Sequence, residues 1–341
     1  MVAAAYISNR DVAAFTLVGS CTMAYDRVKK RLAAGQIIVL DGATGTELQR
    51  RGAPMDPAAW CGPATLHADR LLTEIHADYI EAGADVITAN TFASSRLMLS
   101  GAGLAERTDE INRRAVAAAL RARDAHERGA QVLVAGSLSH MMPMVGRAAN
   151  VDPQAAPPDT QIRDAFNELA QILVSAGCEL IILEMMHHPH RARMALDAAL
   201  ASGLPVWFGL SARRGHAGDT ISFYKLEEFG LDEIAGLIPP TGIDAAGAMH
   251  TGAELIEDAL GAVRRHFTGP LMVYPDSGFF EMPHWRFVDV MTPERFEGFC
   301  RDWLGSGVQI IGGCCGLTVE HVRAAVRARD AVIAPRSTKP L

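Results

Sequence analysis

Two adjacent cysteines, Cys314 and Cys315, stand in the sequence Gly-Gly-Cys-Cys-Gly directly after an apolar run at 309–311. Two thiolates in a row at the end of a strand can bind a soft metal ion, and the flanking glycines let the backbone bend closely around it. The pair is equally compatible with two small buried residues or with a strained vicinal disulfide. We therefore treat both cysteines as candidate metal ligands and look for residues that would surround them.

Two carboxylates follow other apolar runs. Asp41 follows the run at 37–40 and enters a turn rich in glycine and threonine, and Glu184 follows the run at 180–183. A carboxylate at the end of a buried strand is costly to desolvate unless a cation meets it, and a substrate ammonium group would serve. The alternatives are that Asp41 caps the next helix and that Glu184 pairs with an arginine.

Aromatic side chains that can contact a methylated cation are also present. Trp60, Phe92, Tyr274 and Trp285 lie near the polar segments, and an aromatic face attracts a cationic methyl donor. Each is also a typical core residue. We interpret them as candidate walls of a substrate pocket.

Short apolar runs alternate with amphipathic stretches, which predicts βα units around a parallel sheet. The predicted strands are 37–40, 85–89, 132–135, 180–183, 206–210, 242–245, 271–274 and 309–312. The predicted helices are 71–81, 106–127, 162–175, 191–200, 253–267, 293–304 and 318–332, and the connection at 226–237 has the weakest pattern. Eight strands in this arrangement predict an α/β TIM (β/α)8 barrel, whose catalytic groups lie where the strands end.

Composition narrows the function classes. The chain has 341 residues, 49% of them hydrophobic, and a formal net charge of -7 without a basic block, which argues against a nucleic-acid partner. Six dispersed cysteines favour a reducing cytoplasm, and no segment is apolar for long enough to cross a membrane. We expect an N-terminal extension at 1–25, a barrel at 26–335 and a tail at 336–341, with homo-oligomer formation left open.

Four segments together resemble the homocysteine S-methyltransferase family, which includes the betaine–homocysteine and S-methylmethionine–homocysteine enzymes. They are Asp-Gly-Ala-Thr-Gly-Thr-Glu-Leu at 41–48, Ala-Gly-Ala-Asp-Val-Ile-Thr-Ala-Asn-Thr-Phe at 82–92, Tyr-Pro-Asp-Ser-Gly at 274–278 and Gly-Gly-Cys-Cys-Gly at 312–316. The similarity runs in order from about residue 35 to residue 332, and the double-cysteine motif is its most specific part.

The resemblance implies a TIM barrel that holds one Zn2+ on three cysteines, two of them Cys314 and Cys315. It implies that Asp41 and Glu184 bind the amino group of homocysteine. We also assign Thr44, Gly45, Trp60, Asn90 and Tyr274 to substrate binding, because they follow predicted strands or are candidate pocket aromatics. The metal would ionise the homocysteine thiol, which attacks a methyl group on a sulfonium or quaternary ammonium donor and yields methionine.

The chain departs from the family at the third cysteine. The family has a Gly-x-Asn-Cys sequence at the end of the sixth strand, and we align this with Gly-Ile-Asp-Ala at 242–245, so that Ala245 replaces the cysteine. Two thiolates leave a zinc site short of its usual three protein ligands. Asp244 and His250 are the nearby substitutes, and His250 is chemically the better one.

We therefore predict a cytoplasmic methyltransferase of the EC 2.1.1 class in methionine biosynthesis, with a small-molecule thiol acceptor and a methylated onium donor. S-methylmethionine, S-adenosylmethionine, betaine and dimethylsulfoniopropionate remain open as donors. Two alternatives also remain open: a methyltransferase or demethylase with another acceptor or metal shell, and a non-catalytic barrel that binds a small molecule.

Overall fold

The computed structural model describes residues 24–142, 157–222 and 228–333. Its strands, in chain order, are β1 Ile38–Val39, β2 Val86–Ala89, β3 Leu133–Ser139, β4 Leu180–Met186, β5 Val206–Leu210, β6 Ala212–Arg214, β7 Thr220–Ser222, β8 Ala245–Gly252, β9 Leu271–Asp276, β10 Phe279–Glu281, β11 His284–Arg286 and β12 Val308–Ile311. Eight of them form one parallel sheet in the order β1-β12-β9-β8-β5-β4-β3-β2. A parallel bridge from Leu40 to Val86 joins the two end strands, so the sheet closes. The predicted TIM barrel is confirmed.

One helix precedes β1, and the others follow the barrel strands in the chain. They are α1 at 24–33 in the described part, α2 Thr44–Arg50, α3 Asp69–Glu81, α4 Arg96–Gly101, α5 Thr108–Ala125, α6 Asp159–Ala176, α7 Pro189–Ala201, α8 Leu231–Ala235, α9 Ile256–His266, α10 Pro293–Gly305 and α11 Val319–Ile333. The short α8 lies in the connection with the weakest sequence pattern. None of the helices in the described ranges has the length and apolar character required to span a lipid bilayer.

The sixth barrel strand is the main correction to the sequence prediction. The strand predicted at 242–245 is wrong, because β8 runs over Ala245–Gly252. Ala245 is the first residue of β8 and pairs with Trp207 at the beginning of β5. Asp244 forms a 3.2 Å ion pair with Lys29 of α1. Both residues therefore lie at the amino-terminal end of the barrel, opposite the end where the functional groups were expected.

Helix α1 packs against this amino-terminal end. The indole Nε1 of Trp207 donates a 2.9 Å hydrogen bond to the hydroxyl of Tyr25, and Gln309 donates from Nε2 to the carbonyl of Leu32 at 2.8 Å. Tyr25 is buried. Residues 1–23 of the predicted extension and the predicted tail at 336–341 lie outside the described residues.

Two hairpins were not predicted from the sequence. Strands β6 and β7 form one after β5, and β10 and β11 form the other after β9. The second hairpin is tied to α2, because Gln49 donates to the carbonyl of Trp285 at 2.9 Å and accepts from its backbone N–H at 2.8 Å. The connection after β9 is thereby held beside the carboxyl-terminal end of the barrel.

Candidate metal and substrate site

The two adjacent cysteines lie at the carboxyl-terminal end of the barrel, after β12. Both side chains are buried, and their Sγ atoms are 3.8 Å apart. The backbone N–H of Cys314 donates to the carbonyl of Pro275 at 2.7 Å, and the carbonyl of Cys315 accepts from Ser277 at 2.9 Å. The end of β9 therefore fixes the backbone that carries both sulfurs.

Gly316 makes this close approach possible. Its φ angle is +82°, and a Cβ atom there would stand 1.9 Å from the carbonyl oxygen of Ser277. Only a residue without a side chain tolerates both the left-handed backbone and the contact. The glycine after the cysteine pair is thus a steric requirement of the site.

His250 faces the sulfurs from the carboxyl-terminal part of β8. Both ring nitrogens lie 3.4 Å from Sγ of Cys314, and Nε2 lies 3.0 Å from Oε2 of Glu184. The Phe92 ring stacks on the imidazole, with centroids 4.9 Å apart and planes at 22°. The backbone of His250 has a φ of +46°, a conformation that is uncommon outside glycine. Packing and hydrogen bonding together fix the orientation of this ring.

His250, Cys314 and Cys315 form a donor set that fits a metal ion. One donor atom from each lies within 4.8 Å of the others. Two sulfurs bound to a tetrahedral zinc ion at about 2.3 Å each would be about 3.8 Å apart, which matches the observed separation. If Nε2 stays bonded to Glu184, Nδ1 remains as the donor to the ion. A carboxylate behind a metal-bound imidazole is a common arrangement that orients the ring.

The three side chains also shift one another's protonation. A hydrogen bond from Cys314, with further help from His250, lowers the pKa of Cys315 to about 7. Burial raises the pKa of Cys314. Burial by itself would lower the pKa of His250, but Cys315 and Glu184 raise it to about 10. The site therefore favours one thiolate beside an imidazolium. A metal cation that took the place of the imidazolium proton would be attracted by the same negative charge.

Asp41 lies beside the cysteines but is engaged by the protein. Its carboxylate accepts from the backbone N–H of Thr88 at 2.6 Å, from the Thr88 hydroxyl at 3.1 Å and from the Tyr274 hydroxyl at 3.1 Å. Burial, with a smaller contribution from Glu184, raises the pKa of Asp41 to about 8 despite these hydrogen bonds. Burial therefore favours the neutral form of Asp41, and its hydrogen bonds position Tyr274 and β2.

A narrow cavity connects these groups. Nine of the ten predicted site residues line it, namely Thr44, Gly45, Trp60, Asn90, Glu184, Tyr274, His250, Cys314 and Cys315. Asp41 lies next to the cavity and contacts it through Tyr274 and Thr88. Among the candidate aromatics, Phe92 also lines the cavity. Trp285 instead lies behind the turn after β9, where its indole donates to the carbonyl of Ser277 at 3.0 Å.

Some polar atoms of the cavity wall are hydrogen-bonded within the protein, and others are not. The Asn90 amide donates to the carbonyl of Cys61 at 3.0 Å and to the Thr65 hydroxyl at 3.1 Å, so Asn90 shapes the wall. The indole N–H of Trp60 and the hydroxyl of Ser137 are buried without a hydrogen-bond partner among the described residues. Because unsatisfied buried polar groups are costly, these two atoms are candidate positions for hydrogen bonds to a ligand.

Cys61 and Ser137 line the cavity but received no role from the sequence. Cys61 is buried, and a Cβ atom at Gly45 would stand 2.8 Å from its Sγ. Burial, with the charge of Cys315, raises the pKa of Cys61. Cys61 lies in the loop before α3, where the sequence has no periodic pattern. Ser137 could have been assigned, because it follows the third predicted strand at 132–135.

The sequence matches a family model described as Homocysteine S-methyltransferase over residues 38–329. Homocysteine S-methyltransferase 4 of Zea mays is 28% identical over 316 residues, covering 86% of this chain and 90% of the relative. The selenocysteine methyltransferase of Astragalus bisulcatus is 25% identical over 316 residues, covering 85% and 91%.

A similar architecture occurs in solved structures. The homocysteine methyltransferase MmuM from Escherichia coli matches in its metallated form with a TM-score of 0.65 and 22% identity, covering 85% of this chain and 95% of that one. Its oxidized form matches with a TM-score of 0.67 and 22% identity, covering 86% and 96%. At this identity the two structures support the barrel fold.

Proposed function

The chain belongs to the homocysteine S-methyltransferase family, and from this premise we propose that it transfers a methyl group from an onium donor to the thiol of homocysteine at the cavity beside Cys314 and Cys315. The single observation that carries the proposal is the buried cluster of two sulfurs and one imidazole on the wall of that cavity. Family membership confirms the predicted methyltransferase class.

We assign His250 to the place of the family's third cysteine. The family motif Gly-x-Asn-Cys ends the sixth strand, and in this structure the sequence Gly-Ala-Met-His at 247–250 occupies the carboxyl-terminal part of β8. His250 is then the third zinc ligand, and the earlier alignment of Ala245 with the cysteine is displaced by five residues. Asp244 is paired with Lys29 at the amino-terminal end of the barrel, away from the cysteines, which argues against Asp244 as a ligand.

A zinc ion held there would supply Lewis acidity that keeps the homocysteine sulfur deprotonated at neutral pH. With two thiolates and a neutral imidazole, the protein donors would leave the site one negative charge short of a three-cysteine site. A less negative site would accept an anionic substrate sulfur more readily and would also reduce its nucleophilicity.

The other wall residues position the reactants. The Glu184 carboxylate bonds His250 through one oxygen, which leaves the other for the substrate ammonium group. Trp60 and Phe92, whose rings meet edge to face at 6.1 Å, provide aromatic surface for the cationic donor. In the reaction a sulfur–methyl bond forms, the bond from the methyl group to the donor heteroatom breaks, and its electron pair stays on the donor.

The test is methionine formation from homocysteine by zinc-loaded protein, with S-methylmethionine, S-adenosylmethionine, betaine and dimethylsulfoniopropionate as separate donors. We expect activity with at least one donor and its loss in Cys314→Ser, together with loss of bound zinc. Cys300→Ser is the matched control, because Cys300 is a buried cysteine of α10 outside the cavity wall. Equal activity of Cys314→Ser and the wild type would refute the proposal.

A further inference from the structure

Four arginine side chains meet at the amino-terminal end of the barrel. A cavity of about 390 Å³ opens between α1, the segment before β3 and α11. The charged residues on its wall are four arginines and one carboxylate, namely Arg27, Arg31, Arg128, Arg329 and Asp85. These residues come from separate parts of the chain, and the net charge of the protein is -7. The fold thus gathers positive charge at one point of an acidic protein.

Asp85 cannot neutralise all four guanidinium groups. Its Oδ1 atom lies 2.9 Å from Nη1 of Arg31, whereas the nearest nitrogens of Arg128 and Arg329 are 3.8 and 3.9 Å from the carboxylate. Its Oδ2 atom also accepts from the backbone N–H of Val39 at 2.9 Å. Only Arg31 has a close charged hydrogen bond to Asp85. Arg128 donates through Nη1 to the carbonyl of Ile80 at 2.7 Å and Arg329 through Nε to Asp330 at 2.9 Å, and because a guanidinium group carries five N–H donors, each keeps further donors for a ligand.

Neighbouring acidic residues leave the positive excess in place. Asp330 pairs with Nε of Arg329 at 2.9 Å from an exposed position, and Glu179 divides its charge between Arg123, at 3.1 Å, and Arg27. The side chains of Arg31, Arg128 and Arg329 are only 30%, 29% and 19% exposed. Like charges held close together and partly withdrawn from water repel one another, and a bound anion would relieve this repulsion.

We propose that this cavity binds a small multivalent anion that carries phosphoryl groups. Planar guanidinium groups match the oxygens of phosphate in paired hydrogen bonds, and arginine is the residue that proteins use for such recognition. The volume lies within the range of roughly 300–1,000 Å³ that is usual for small-molecule sites. Gln131, also on the wall, offers a neutral amide for the remainder of the ligand.

The site is separate from the methyl-transfer cavity. Asp85 immediately precedes β2, whereas Asn90, which lines the methyl-transfer cavity, follows the other end of the same strand. The two cavities share no lining residue. Binding at the arginine site is therefore measurable without any assay of methyl transfer.

The experiment is calorimetric titration of the full chain with pyrophosphate, inorganic phosphate and citrate, at constant ionic strength set with chloride. We expect saturable binding of one pyrophosphate per chain, weaker binding of phosphate, and still weaker binding of citrate. Absence of saturable pyrophosphate binding would overturn the proposal. Citrate binding tighter than pyrophosphate would overturn the assignment to phosphoryl groups.

Variants locate the bound anion. Arg329→Gln should weaken pyrophosphate binding by about tenfold or more, since it removes a charged donor. Arg27→Gln, at an exposed position of α1, provides a second test that is independent of the folding of the first variant. Arg70→Gln is the matched control, because the Arg70 side chain is 94% exposed on α3 and pairs with Glu74. Equal weakening by Arg70→Gln would mean that pyrophosphate binds through general surface charge, contrary to the proposal.

Discussion

The Nε2 atom of His250 lies 3.0 Å from the carboxylate of Glu184, so a residue of β8 and a residue of β4 are joined directly beside the cysteine pair. Glu184 therefore has two proposed roles: one carboxylate oxygen orients the imidazole, and the other binds the substrate amine. Substitutions of Glu184 separate the two roles.

Replacement of His250 tests the proposed third ligand. We expect His250→Ala to lower zinc affinity by at least about tenfold, because two thiolates alone leave the ion short of protein donors. His250→Cys should restore binding by supplying a thiolate at the same place. Zinc content per chain after dialysis against a weak chelator measures both. His126→Ala, in the segment after α5, is the control, and unchanged zinc affinity in His250→Ala would remove His250 from the ligand set.

Glu184→Gln and Glu184→Ala separate orientation from charge. The glutamine retains an oxygen for His250 but loses the charge that faces the substrate ammonium group, so we expect zinc to stay bound while the KM for homocysteine rises by about tenfold or more. The alanine should also weaken zinc binding. Glu74→Gln, at a half-exposed position of α3, is the control. An unaltered KM in Glu184→Gln would show that this carboxylate does not bind the amine.

Asp41 should make the stability of the protein depend on pH. Its pKa is raised from 3.8 to about 8 in the folded state, so the folded protein holds this proton over a range where the unfolded chain has lost it. The stability from this group is present below the unfolded pKa and is lost as the pH rises toward the folded pKa. Chemical unfolding should show that the wild type loses stability relative to Asp41→Asn between about pH 4 and pH 8. Parallel curves for the two proteins would contradict the raised pKa.

Gly316→Ala tests the steric requirement behind the cysteine pair. We expect a loss of at least about 3 kcal/mol in the free energy of unfolding, since a left-handed alanine is strained and its Cβ would meet a backbone oxygen. Gly307→Ala is the matched control, because Gly307 has a φ of +97° with no atom within 4 Å of the added carbon. That variant should lose only about 1–2 kcal/mol. Equal losses would mean that the contact with Ser277 is easily relieved.

The pattern of the sequence predicted the barrel and most of the residues that line the cavity, whose roles stay predictions. Strand β5 was predicted at its observed bounds, because its run of large apolar residues is typical of a buried strand. Cys314 and Glu184 were singled out by their positions after apolar runs and Trp60 by its aromatic ring, and all three line one cavity. The family prediction is confirmed by the match over residues 38–329.

Strand β8 shows why the bounds of the sixth barrel strand were predicted wrongly. Its sequence Ala-Ala-Gly-Ala-Met-His-Thr-Gly contains only one β-branched residue, so its own strand signal is weak. Glycine at 247 is required by packing, since a Cβ atom there would stand 1.7 Å from the carbonyl oxygen of Met272. The arginine cluster could not be predicted from the sequence either, because only the closed barrel brings Arg31 and Arg329 together.

His250 and Cys314 are 64 residues apart in the chain, yet their donor atoms are 3.4 Å apart at the end of the barrel. An ion bound to both would act as a cross-link in any partly unfolded chain that still held it. In the chain-entropy account, a covalent link of this span lowers the entropy of the unfolded state by the equivalent of about 4 kcal/mol. Chelation would then loosen the whole β8–β12 region, far beyond the few side chains that contact the ion.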